Sequence, residues 1–336
     1  MENMRDIMKL AVDAHKGTVE KYSVGQSQEA LREALIELNG GSTKLDYRAI
    51  RDGKCPGLFA LIEEILRATI PDDLAGNEFV QSMVDFRNVA EGDENLFLVE
   101  DAVLFSVDDI ANGTQAIRRQ RLAGPQEVVL PTTMKAVRIY EELNRILAGR
   151  VDFNHLIDVV AASFNRKIVD DIYTLWMNAS AADIGGSTFY PAAGTYDEDT
   201  LLDLIAHVEA AADGKPATII GTKKACRQMQ ESIQSFSAKE ELHNMGYYGK
   251  FFGTPVVALP QRHKVGTTNF LLPDDKLTII AGDEKPIKFV YEGDPLVIMR
   301  NPEQNMDLTQ EYFYGDKYGL GIVMAGGNAG VGIYET

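Results

Sequence analysis

Cysteine is almost missing from this chain. Cys55 and Cys226 are the two in 336 residues, and they lie far apart. That excludes a disulfide framework and a thiolate metal site at local spacing, and suits a reducing cytosol in which both are free thiols. Histidine is equally thin: His15, His155, His207, His243 and His263 are scattered, with no His-x-x-x-His setting, so local spacing offers no zinc site. No run of about eighteen apolar residues occurs, which excludes an ordinary membrane helix. The opening MENMRDIMKLAVDAHKG carries acids from its second residue and has no continuous apolar core, unlike a secretory signal. Cations are the minority: 33 Lys and Arg against 50 Asp and Glu leave a net charge of −17. A dedicated nucleic-acid binder shows a basic face. An acidic chain can stand beside DNA without gripping it.

Catalytic signatures are missing too. No Gly-x-Ser-x-Gly elbow occurs. Ile219-Ile220-Gly221-Thr222-Lys223-Lys224 enters a helix from a strand but lacks the upstream Gly and the Gly-Lys-Ser/Thr ending of a phosphate loop, so it reads as a capped βα turn. Gly327, Gly330 and Gly332 have the wrong order for a dinucleotide fingerprint, with no room for the receiving helix. The acid pairs Asp108-Asp109 and Asp170-Asp171 read as turn and solvated-face residues. The expected catalytic, cofactor-binding and metal-ligating residues are therefore none.

What is present is architecture. Hydrophobic residues make up 45% of the chain, enough for a sizeable core. In 152–177 the residues Leu156, Val160, Phe164, Ile168, Ile172 and Trp176 fall at four-residue steps. That spacing predicts one amphipathic helix of roughly 39 Å with a wide apolar stripe. Residues 1–75 read as three short helices, the second closed by Asn39-Gly40-Gly41. They are too short to stand alone in water, and pack either on their own domain or on a neighbour. Residues 95–131 place the Asn112-Gly113 pair between β-prone runs, a hairpin signal. Arg118, Arg119 and Arg121 sit close to its turn, either as a solvated charged strand or as a docking element for an acidic partner surface.

Residues 132–149 read as a strand passing into a helix. After residue 177 the chain loosens into NASAADIGGSTFYPAAGTY, a domain boundary. Then come a helix over 197–212, a strand over 217–220 and a Thr222-capped helix from Lys223 to about Ile233. Short β runs follow at 254–259, 270–272, 276–281, 287–291 and 295–299. The aromatic segment 310–324 and the Gly-rich close form a strand that returns to an earlier sheet or to the long helix.

In this order, the hairpin 95–131, the helix 152–177, Phe252-Gly253-Thr254-Pro255-Val256-Val257 and the ending Glu311–Val323 resemble the major capsid protein of tailed bacteriophages. The resemblance implies an α+β chain of the Hong Kong 97-type shell fold. It implies an N-terminal helical arm (1–75), an extended hairpin loop (76–131), a peripheral domain with the spine helix (132–178 and 302–336) and an axial domain (179–301). It further implies a non-enzymatic shell protein of the virion, assembled in the host cytoplasm from pentamers and hexamers of itself. Separate scaffolding, portal and decoration proteins would be its partners, and packaged DNA would be enclosed without tight binding. An encapsulin-type nanocompartment shares the fold, and a soluble α/β enzyme with an unrecognised site is the competitor from another class.

Overall fold

The computed structural model describes residues 78–93, 95–99, 119–121, 124–141, 150, 153–179, 189–230, 247, 249–282, 285–294, 296–324 except 301–309, and 330–336. It also describes 105, 107 and 109, and the positions 9, 29–30, 32–34, 36–37 and 41–43. The first and third expected N-terminal stripes, the Asn112-Gly113 turn, the expected helix around Leu143–Leu147 and the Gly-rich 325–329 lie outside the described residues. At the second expected stripe the described positions 29–37 are helical. Gly41 (φ 82) donates its N–H to the Ile36 carbonyl at 2.8 Å, the left-handed closure expected of that Gly.

A six-residue helix α1 (Glu78–Met83) leads straight into β1 (Val84–Val89). A hairpin of β2 (Leu96–Val99) and β3 (Gln126–Val129) follows, then β4 (Thr133–Glu141) and the long helix α2 (Phe153–Met177). The four-residue periodicity of α2 has its expected result: Val160, Phe164, Ile168, Ile172 and Trp176 are all buried. Beyond lie β5 (Phe189–Ala193), α3 (Glu198–Ala211), β6 (Ala217–Thr222) and α4 (Lys223–Arg227) with a 3-10 turn (Gln228–Gln230). The rest is β: β7 (Lys250–Phe251), β8 (Thr254–Leu259), β9 (Lys276–Ala281), β10 (Ile287–Glu292), β11 (Leu296–Arg300), β12 (Gln310–Ile322) and β13 (Val331–Glu335).

Two larger sheets share α2. The first is organised around β12, which pairs antiparallel with β4, with β11 and with β10, while β1 runs parallel to β10. Side chains alternate along β12. Tyr314 and Tyr318 face α2, where Phe164 meets the Tyr314 ring edge-on at 4.7 Å. The other face carries Gly315, Gly319 and Gly321. A Cβ on Gly319 would meet the Pro131 carbonyl oxygen at 2.7 Å, and one on Gly321 would meet Leu130 Cδ2 at 2.3 Å. Glycine is what lets the segment leaving the hairpin lie flat on the strand.

The second sheet runs β5-β13-β9-β6-β8-β7. It is covered on both sides, which explains why Lys276–Ala281 is buried at every position. Ile220, Ile280 and Ile333 join α2 in one cluster. Ile219, Leu277 and Ile279 join Leu201, Leu204, Ile205 and Val208 of α3 in another. Asp197 opens α3 by accepting from the Thr200 N–H at 3.0 Å. Asp213 (φ 60) and Gly214 (φ 80) turn the chain into β6.

Strand pairing runs across residues 301/302, where the sequence placed a domain boundary. β10 and β11, expected with 179–301, pair with β12; β13, expected with 302–336, pairs with β9 and β5. Two expected elements differ. Phe270–Leu272 holds only an isolated bridge from Phe270 to His263, because this loop folds back on α2. Phe189–Ala193, inside the stretch read as loose, is a strand parallel to β13, a partner about 140 residues away that no local pattern reveals.

Candidate assembly surfaces

The spine helix α2 holds the two sheets together through polar as well as apolar contacts. The Trp176 indole N–H donates to Thr278 Oγ1 at 2.9 Å, and that hydroxyl donates to the Ile220 carbonyl at 3.1 Å. Lys276 Nζ reaches the Ala179 carbonyl just past the helix end at 3.2 Å, a cation at the negative end of the helix dipole. Asp170, read as a solvated-face residue, is buried, taking Arg262 Nη1 at 3.0 Å and lying 3.7 Å from Arg166. Asp171 accepts from the Tyr318 hydroxyl at 3.0 Å and from Lys167 Nζ at 2.6 Å. The acid pair therefore fastens α2 to the loop 261–272 on one side and to β12 on the other. The cations at four-residue spacing, Arg166 and Lys167, were its signal in the sequence.

Between α2 and β12 lies a buried acid that sequence reasoning missed. Asp316 is 6% exposed, and its carboxylate accepts from the Tyr314 hydroxyl at 3.2 Å. Burial raises its pKa against the opposing pull of that hydrogen bond. Tyr291, whose hydroxyl is buried without a hydrogen-bond partner, and Tyr314 are held protonated by burial and then by the Asp316 charge. The signal was a lone Asp on the aromatic side of an alternating strand.

The hairpin is rooted rigidly. Asn95 spans its base, donating to the Leu130 carbonyl at 2.7 Å and accepting from the Leu130 N–H at 3.0 Å. Phe97 and Leu130 bury against Val290 and Val323, and the Arg87 guanidinium lies 4.2 Å from the Phe97 ring centroid. On the opposite face of these strands Leu98 and Val129 turn outward, each 60% exposed, and Phe105 and Val107 are exposed as well. Of the three arginines, Arg118 lies outside the described residues. Arg119 and Arg121 are exposed and outside any strand, and the described return strand is Gln126–Val129.

The expected βα turn at Ile219–Lys224 holds a cap. Thr222 Oγ1 accepts from the Ala225 N–H at 3.3 Å and donates to Asp274 at 2.9 Å. A Cβ on Gly221 would meet Leu277 Cδ2 at 2.6 Å, so this Gly answers to packing. Cys226 just beyond it is buried, its thiol pushed up to about 12 by desolvation, and so is inert. Among the described residues no group of three or more His, Cys, Asp or Glu could hold a metal ion. No described helix is long and apolar enough to cross a membrane.

The described architecture can be set beside known proteins. The mature capsid chain of bacteriophage PhiM1 superposes with a TM-score of 0.52, over 77% of this chain and 87% of that one, at 10% identity. A chain of Mycobacterium phage Che8 gives 0.47 over 72% and 85% at 13% identity. A virus-like particle from Pyrococcus furiosus gives 0.46 over 81% and 98% at 16% identity. The fold assignment rests on the first, and the fold is the Hong Kong 97-type shell fold. No curated protein matches the sequence. The family model described as "YonB: SPbeta prophage-derived putative capsid protein YonB" matches residues 3–333. The chain, a structural shell protein and not an enzyme, belongs to that family of prophage-derived capsid proteins.

Proposed function

We propose that copies of this chain close into pentamers and hexamers and tile an icosahedral shell around double-stranded DNA, each hairpin reaching onto the next copy. The observation that carries this reading is the hairpin itself: a root pinned and packed on one face, with apolar side chains open to solvent on the other. Exposed apolar surface on a projecting element marks an interface, and one that meets a different patch on the next copy makes rings. In this reading the first sheet with α2 is the peripheral domain and the second sheet with α3 is the axial domain that lines the ring centre. The arm, residues 1–75, lies on neighbouring copies. The net charge of −17 keeps the inner wall from trapping DNA. Assembly takes place in the host cytoplasm with separate scaffolding, portal and decoration proteins.

Replacing Arg118, Arg119 and Arg121 together with Glu tests the hairpin's docking role. The expected result is a folded subunit with unchanged circular dichroism and a loss of sedimenting particles of at least about tenfold, since reversed charge at a desolvated contact costs several kcal/mol. Unchanged particle yield would remove the arginines from the interface. The contents of wild-type particles test the enclosed cargo: nuclease-protected DNA is expected, and an enclosed enzyme without DNA would point to a nanocompartment.

A further inference from the structure

Both legs of the extended hairpin are fastened to the first sheet at one carboxylate. Along one side of β12, β10 pairs as far as Tyr291 with Tyr318, and β11 begins at Leu296 with Gly315. Asp316 and Lys317 of β12 stand opposite residues 292–295, so the neighbouring strand carries extra residues and bulges there. Glu292 opens the bulge. Its carboxylate accepts from Lys317 Nζ on β12 at 2.6 Å and from the Thr132 hydroxyl on the leg that leaves the hairpin. It also takes the Gly92 N–H on the leg that enters. These donors, Lys317 first and Thr132 second, hold the Glu292 carboxyl below the usual carboxylate range. Beside it Gly293 (φ 75) donates its N–H to the Val89 carbonyl at 2.9 Å, and a Cβ there would meet Glu91 Cβ at 3.3 Å.

The contacts at the hairpin root constrain different things. Asn95 joins leg to leg through Leu130. Phe97 and Leu130 rest on Val290 and Val323. Apolar burial has no direction of its own, so it keeps the root down without fixing how the hairpin is turned. Hydrogen bonds weaken steeply off line, and donors from three separate segments leave the Glu292 carboxylate one arrangement. We infer that Glu292 is the positioning residue of the hairpin: by gripping both legs and β12 together, it sets the direction in which the hairpin leaves the body. The inference rests on the shell reading above and adds what fixes the angle between neighbouring copies. A hairpin free to swing about its apolar root would still find a neighbour, but at no single angle. A clamp at the root lets the repeated contact close on one particle size.

The test uses the full chain in a Cys55→Ser background, Cys226 being buried. Spin labels on Glu127→Cys of the hairpin and Ala162→Cys of α2, both exposed positions, report the hairpin's direction in dissociated subunits by pulsed electron paramagnetic resonance. One narrow distance peak is expected in the parent. Loss of that peak is expected in Glu292→Ala, with circular dichroism unchanged. A partial loss is expected in Glu292→Gln, whose amide still accepts from Thr132, and in Lys317→Met. The parental peak in folded Glu292→Ala overturns the inference. Should that variant fail to fold, parental peaks in both Glu292→Gln and Lys317→Met overturn it. In electron micrographs of assembled material, the parent is expected to show one particle diameter and Glu292→Ala a spread of diameters or open sheets. Uniform parental particles from Glu292→Ala count against the clamp. Failure of unmodified chains to form particles overturns the shell reading instead, and the subunit distances still judge the clamp.

Discussion

The hydrogen bond from Trp176 to Thr278 ties the spine helix to the second sheet, and its strength can be worked out in advance. Trp176 is 1% exposed and is the only tryptophan in the chain. Trp176→Phe removes the indole N–H and part of a buried ring. The lost hydrogen bond costs about 1 kcal/mol, and the lost contact with its residual cavity roughly 1–2 kcal/mol more, so the variant should be about 2–3 kcal/mol less stable. Thr278→Val keeps the shape but leaves the indole N–H buried with no acceptor, at a cost of about 1–3 kcal/mol. It also takes a donor from the Ile220 carbonyl, a loss present in both backgrounds that cancels in a double-mutant cycle. The coupling left over should be about 1 kcal/mol, near fivefold in the unfolding equilibrium. Urea unfolding of dissociated subunits, followed by far-ultraviolet circular dichroism because one variant lacks the fluorophore, reads all four corners. Additivity within about 0.3 kcal/mol would refute the bridge, as would a Trp176→Phe loss under about 1 kcal/mol.

Two more perturbations follow from buried contacts. Asp316 has a folded pKa raised by burial, so the folded state holds a proton that the unfolded state has released. Its penalty is absent below the unfolded value, near 3.8, and grows as pH rises from there through the folded pKa. Asp316→Asn keeps an acceptor for Tyr314 without the charge, and should melt higher than the parent at neutral pH, with the gap closing toward pH 3.8. A melting difference independent of pH would refute this. Gly319→Ala and Gly321→Ala differ in what the new methyl meets: a backbone oxygen at 2.7 Å in the first, a leucine side-chain tip at 2.3 Å in the second. Leu130 can rotate and the Pro131 carbonyl cannot, so Gly319→Ala should cost about 1–3 kcal/mol and Gly321→Ala less, read as melting temperatures. The reverse order would show that the hairpin root can shift as a body.

Local patterns carried much of the fold. The six residues at four-residue steps gave α2 within one residue of its observed ends, Thr222 caps the helix expected to follow it, and runs such as Lys276–Ala281 are strands. What stayed hidden depends on partners distant in sequence. β5 exists because β13 lies beside it, and nothing in Phe189–Ala193 says so. Lys276 and Asp316 look like surface residues until a helix end and a layer of tyrosines close over them. The assembly surfaces were half visible. An Asn-Gly pair between β-prone runs announced a hairpin, but the exposed Met134, Leu296 and Ile298 come to share one face only through the register of β4, β11 and β12.

The place of β13 has a consequence for synthesis. Val331–Glu335 lies between β5 and β9 and is the only strand partner of β5 among the described residues. Of the six strands in its sheet it is the last to be translated. Nascent chains stalled or cleaved before residue 331 leave a hydrophobic slot open where Ile333 and Tyr334 belong, and would be offered to proteases instead of to the growing lattice. The order of synthesis leaves β5 without this partner until residue 331 has been made.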